Sequence, residues 1–148
     1  MNIFDLFDKA AKSLQYPRLR YPIDKNNKIV FSMAGNKAQF PGTLNITDGG
    51  HYGNNIWYGR VKKDFEKKVL HIDWNPKIAV DKDFKEVVRA VISNPVGICS
   101  ITGQKYSYCC FCGTEITTKE SLAVGYGPIC AEKWGLPWGQ LPLDVENL

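Results

Sequence analysis

Between residues 2 and 15 the apolar positions Ile3, Phe4, Leu6, Phe7, Ala10, Ala11 and Leu14 return at steps of three and four, with Asp5, Asp8, Lys9 and Lys12 between them. That period lays them along one stripe of a helix. Pro17 and Pro22 stop it and predict an extended linker from Tyr16 to Asp24, in which Arg18 and Arg20 alternate with Leu19 and Tyr21. From Lys28 to Trp74 the pattern changes to short β-branched and aromatic runs with Gly and Asn breaks. It predicts strands at Lys28–Met33, Gly42–Thr47, Asn55–Val61 and Lys68–Trp74, joined by Ala34–Pro41, Asp48–Asn54 and Lys62–Lys67. Alternation is clearest in Leu44/Ile46 and in Leu70/Ile72/Trp74, so a small antiparallel meander with one face covered is expected. Helical spacing returns over residues 81–93, where Phe84, Val87, Val88, Val91 and Ile92 face one way and Lys82, Lys85, Glu86 and Arg89 the other. Asp81 or Asp83 suits its cap, Asn94-Pro95 reads as its end, and Gly97 to Gly103 reads as a connector.

Composition places this pattern in an ordinary folded chain, with 44% apolar and 23% charged residues. No apolar run approaches the ~20 residues of a membrane-spanning helix. The first fourteen residues carry Asp5 and Asp8 and lack the order of a secretion signal, so a cytoplasmic protein is expected. Four of the five cysteines fall in the last forty residues. An odd, clustered set in a reducing compartment points to metal before disulfides. Charge is divided as well: residues 1–108 carry 17 Lys/Arg against 10 Asp/Glu, a sum of +7, and residues 109–148 sum to −3. An anionic partner would therefore meet the first two-thirds of the chain.

The cysteines carry the most specific chemistry. Cys109 and Cys112 have the two-residue spacing that lets a tight turn aim both sulfurs at one tetrahedral ion, and Gly113 follows where such a knuckle needs positive φ. Ile116 to Ala123 is expected to form a short hairpin or irregular return. Gly125-Tyr-Gly-Pro128 reads as a sharp turn, with Pro128 near the first position of a helix running through Trp134 to Gly135. Cys130 would sit in the first turn, where the helix dipole favours a thiolate and lowers its pKa. Knuckle, return and helix-borne ligand make the layout of a treble-clef-like zinc finger. Its usual fourth position is Lys133, which cannot serve. Cys110, His71, Cys99, His51 or a water remain for the fourth ligand, with Cys110 ranked first because it is local and His71 second. The expected fold class is α+β: the meander with flanking helices and a C-terminal finger. Its expected parts are 1–24 (helix and linker), 25–104 (β-rich, with covering helix) and 105–148 (finger and apolar tail).

Cys-x-x-Cys-Gly followed by Ser121 and Gly-x-Gly-Pro-x-Cys resembles a small zinc-finger-like domain of unknown function found in phage and bacterial proteins. Phe40-Pro-Gly-Thr-Leu-Asn-Ile-Thr-Asp-Gly-Gly-His-Tyr-Gly and Trp57-Tyr-Gly-Arg-Val61 resemble the β-rich part that precedes it. The resemblance spans about residues 28–138 and implies a phage or prophage origin without an established activity.

Away from the cysteines, Asp48 to Asn55 is glycine-rich but joins two expected strands, so it reads as a hairpin loop and not as a phosphate cradle. Arg60, Lys62, Lys63, Lys67 and Lys68 gather around one expected turn with Trp57 and Tyr58 just before it, the combination that backbone neutralisation and base stacking require. The tail from Trp134 to Leu143 is apolar and full of helix breakers, and is expected to fold back on the finger. Both histidines precede the knuckle, so no enzyme is expected. The sequence thus favours a zinc-stabilised, phage-type accessory protein that binds nucleic acid through a basic β-rich surface. The alternative is a modulator that binds a host or defence protein.

Overall fold

The computed structural model describes residues 1–24, 26–51, 53–64 and 69–139. The chain falls into two compact units, one from Tyr16 to Arg89 and the other formed by Met1–Gln15 together with the chain from Ala90 onward.

The first unit is a five-stranded antiparallel meander in the order β1 (Arg18–Pro22), β2 (Lys28–Met33), β3 (Leu44–Thr47), β4 (Trp57–Asp64) and β5 (Val69–Trp74). Four strands lie close to the predicted positions. β1 stands where a linker was expected, pairing Leu19 with Phe31 and Tyr21 with Ile29. It is an edge strand, which tolerates Pro22 as its last residue. β4 runs on to Asp64, so Lys62 and Lys63 belong to the strand and not to a connection. Register puts Leu19, Phe31 and Ile46 in one transverse row and Leu44 beside Val61 in the next, and all five side chains are buried. Each such burial removes apolar surface worth about 1.5–3 kcal/mol. At the start of α2 (Lys82–Ser93), Phe84 packs on Tyr58 at 4.6 Å and on Trp74 at 6.4 Å between ring centroids. The opposite face carries a polar row, Arg18, Ser32, Asn45, Arg60 and Asp73, aligned strand by strand.

The second unit is helical. α1 (Ile3–Ala10) is closed by a capping box in which the Asn2 side chain accepts from the Phe4 and Asp5 N–H groups and Asp5 accepts from the Asn2 N–H. Asn94-Pro95 does not simply end α2. Asn94 caps a further helix, α3 (Pro95–Tyr106), with Pro95 at its first turn, where the expected connector would have been. Thr118 caps α4 (Lys119–Val124), which occupies the return where a hairpin or irregular segment was expected. α5 (Pro128–Trp134) begins at the predicted proline and ends at Gly135. α3 and α4 touch at glycine: a methyl group on Gly103 would overlap the Gly125 carbonyl, and one on Gly125 would overlap the Ser100 carbonyl. At the same junction the Ser100 hydroxyl and the Gln104 amide donate to the Val124 and Ala123 carbonyls at the end of α4. Among the described residues no helix is long and apolar enough to cross a membrane.

Candidate metal centre and basic sheet face

The knuckle is a tight turn. The Gly113 N–H donates to the Cys109 carbonyl at 2.7 Å, and the Cys109 N–H donates to the Thr114 carbonyl at 3.0 Å. Gly113 takes φ +76°, as its place after the second cysteine predicts. Tyr108 and Glu115 close the turn through an antiparallel bridge. An aromatic cluster fixes knuckle and helix together: Phe111 lies 4.8 Å from Trp134 and 5.9 Å from Tyr126, and Phe7 of α1 meets the edge of Trp134 at 5.2 Å. The tail folds back as expected through Gly139. Tyr126 donates to the Pro137 carbonyl, and the Trp138 indole donates to the Ser121 hydroxyl. Leu141 to Leu148 lie outside the described residues.

This scaffold brings the sulfurs of Cys109, Cys112 and Cys130 within 4.8 Å of one another, a group that could hold a metal ion. A tetrahedral ion with bonds of about 2.3 Å holds thiolates roughly 3.8 Å apart, so small rotamer adjustments would close the site. Cys109 and Cys130 are buried, while Cys112 faces solvent. Residues 102–135 match a family of unknown function, DUF6011. The matched segment begins inside α3 and ends at the cap of α5, so it contains the whole cysteine cluster. No curated protein and no solved structure matches the chain.

Within the matched segment, Cys110 does not join the cluster, although the sequence ranked it first for the fourth ligand. Its thiol points the other way and donates to the buried Cys99 carbonyl at 3.4 Å. The turn thus gathers the sulfurs of Cys109 and Cys112 with that of Cys130 and leaves the Cys110 thiol on a different partner. Cys99 is wholly buried, and burial pushes its thiol well above the ordinary range. His71 is exposed on β5 and bonded to Asp73 at 3.1 Å, and His51 is exposed in the Asp48–Asn55 loop. Asp48 closes that loop by accepting from the Gly50 and Ile56 N–H groups, a structural task.

The cluster divides its protons unequally. A hydrogen bond from the Cys130 thiol, with backbone N–H groups of Gly127, Phe111 and Cys112, lowers Cys109 to about 5. The same hydrogen bond, then burial and the negative charge of Cys109, push Cys130 up. The expected lowering at the helix start is therefore found at Cys109 and reversed at Cys130. The hydrogen bond between the two sulfurs is the largest cause of this split, and the three backbone N–H groups, that of the helix cap Gly127 among them, add to it at Cys109. A metal entering the site must displace the Cys130 proton, so its affinity should fall with acidification and rise with pH, by about tenfold per pH unit for each proton released. Competition against a chromophoric chelator between about pH 6 and pH 8 checks this, and a flat profile would contradict it.

The basic residues separate. Lys62 is paired with Asp73, and Lys63 is exposed on the alternate side of β4. Lys67 and Lys68 lie outside the described residues. Arg60 and Trp57 come together on the open face. Three residues apart, they would face opposite sides of a regular strand. A bulge opposite Ile46 and Thr47 shifts the register and places both on one side. The Arg60 guanidinium lies 4.8 Å from the Trp57 ring centroid and 4.1 Å from that of Phe40. Phe40, from the Ala34–Thr43 loop, was not among the sequence-predicted site residues. In the sequence it stands as an aromatic beside Pro41 at the head of the β-rich motif, with nothing to tie it to Arg60.

Proposed function

We propose that the chain is a zinc-stabilised accessory protein of phage type that binds nucleic acid through the open face of its sheet. Zinc is favoured by the donor set: three cysteine sulfurs in a knuckle and a helix turn suit a soft, tetrahedral ion. Cys109, Cys112 and Cys130 would hold it, with a fourth ligand from outside the cluster, and the ion would fasten α5 to the knuckle. The observation that carries the binding role is the Arg60 guanidinium stacked over Phe40 and Trp57. A flat cation set among aromatic faces on an exposed sheet offers both phosphate neutralisation and stacking. The surplus of positive charge in residues 1–108 acts in the same direction.

Replacing Arg60, Lys62, Lys63, Lys67 and Lys68 together by glutamine should weaken binding and reduce its salt slope by about 0.7–0.9 for each phosphate no longer neutralised. Lys62 should contribute least, since Asp73 already balances it. If the wild-type chain shows no salt-dependent binding to DNA or RNA near physiological ionic strength, the nucleic-acid role is wrong and a protein-binding modulator becomes the better account.

A further inference from the structure

The open face of the sheet holds a cavity of about 480 Å³ in the range of small-ligand pockets. Arg18 and Arg60 line it with Phe40, Trp57, Ser32 and Asn45, and no carboxylate is among its lining residues. Two guanidinium groups with no acid in the lining mark the cavity for an anion; Asp73, the cross-strand neighbour of Arg60, is engaged by Lys62 and His71. The Nε atom of Arg60 is buried and meets no acceptor among the described residues. A buried donor left unpaired costs about 1–3 kcal/mol, which an incoming oxyanion would recover. Stacking over two rings fixes the plane of that guanidinium, so its N–H fork is oriented before any ligand arrives.

The remaining wall is neutral and polar. Trp57 Nε1 donates to Asn45 Oδ1 at 3.0 Å, which fixes the amide and leaves its N–H donors without partners among the described residues. An oriented amide beside a hydroxyl, here Ser32, is the usual means of reading the edge of a base. A simple anion would use the arginines and leave this wall idle. We propose that the cavity takes one nucleotide unit, an unpaired base with its phosphate, bound at the phosphate by Arg60 and Arg18 and at the base edge by Asn45. The proposal rests on the nucleic-acid reading above for its polymer and adds that the strand must be single, because a base held in a duplex is stacked and has its Watson–Crick edge paired, and so cannot enter a pocket.

The test uses the full, metal-loaded chain and a labelled single-stranded oligonucleotide followed by fluorescence anisotropy. A nucleoside monophosphate should displace the strand, whereas inorganic phosphate or the unphosphorylated nucleoside should need concentrations at least about tenfold higher. Arg60→Lys keeps the charge but loses the planar fork, and should weaken strand binding by about tenfold or more. Arg18→Gln, at an exposed position on an edge strand, should weaken it in the same direction without risk to folding. Strand binding untouched by both variants would overturn the pocket and leave the wider reading intact. Phosphate competing as well as the monophosphate would also overturn it, reducing the cavity to an anion site. Monophosphate binding with no strand binding would uphold the pocket as a site for free nucleotides and remove the polymer. Binding of neither ends both.

Discussion

Replacing Cys130 by serine should take the metal content from about one ion per chain to almost none and should unfold the finger around it. Cys130 is the sulfur that α5 brings to the cluster, and without it the knuckle and the helix keep the packing of Phe111, Tyr126 and Trp134 and the Gly127 N–H bond to Cys109. Structural zinc contributes about 10–16 kcal/mol in small finger peptides, comparable to or larger than the ~5–15 kcal/mol by which whole domains are stable. Amide protection should therefore collapse over residues 105–139 while β1–β5 keep theirs, and hydrogen exchange with metal analysis reads both. The control is Cys110→Ser. Its thiol faces the Cys99 carbonyl and not the cluster, so the metal should stay. Full metal content in the Cys130 variant would refute the centre. Loss of a hydrolytic activity on chelation, with protection preserved, would instead indicate an open catalytic ion.

The second large effect is expected at Gly125. It caps α4 with φ +85°, and an added methyl group would run into the Ser100 carbonyl of α3. Gly125→Ala thus combines a left-handed backbone cost of about 1–2 kcal/mol with an overpacking cost of typically 1–3 kcal/mol or more. Together these amount to a several-kilocalorie loss, visible as a lower denaturant midpoint for the finger unit with the slope unchanged. Gly113→Ala is the matched comparison: φ is +76°, but nothing lies within 4 Å of the added carbon. It should show the backbone cost alone. Equal effects at the two positions would mean that α3 and α4 are less tightly apposed than their glycines imply.

The elements legible from sequence were those whose burial follows a simple period. The stripe of α1, the stripe of α2 and the alternation in β3 and β5 each reflect one covered face. β1 escaped because Pro17, Pro22 and two arginines look like a linker, and only pairing with β2 makes five residues there a strand. α3 escaped because an Asn-Pro pair reads equally well as a stop and as a start, and its two glycines, one needed for close approach to Gly125, mimic a connector. The cysteine cluster was legible because ligand spacing is a local property. The Arg60 stack was not, since it depends on a register shift in β4 and on a ring delivered by a distant loop. Neither leaves a signature within a window of the chain.

The chain path of the helical unit also sets a timetable. Its first helix, α1, is made before any part of the sheet, yet the Trp134 ring that Phe7 packs against lies at the end of α5. The sheet unit is a continuous stretch and can complete itself as it leaves the ribosome, whereas the helical unit must wait for both of its segments. Until then Phe4, Leu6 and Phe7, all buried in the finished protein, have no native cover. Synthesis therefore passes through a stage with a folded sheet, an uncovered α1 and an incomplete cysteine cluster. The nascent chain should stay aggregation-prone until Trp134, four residues beyond its last cysteine, has emerged.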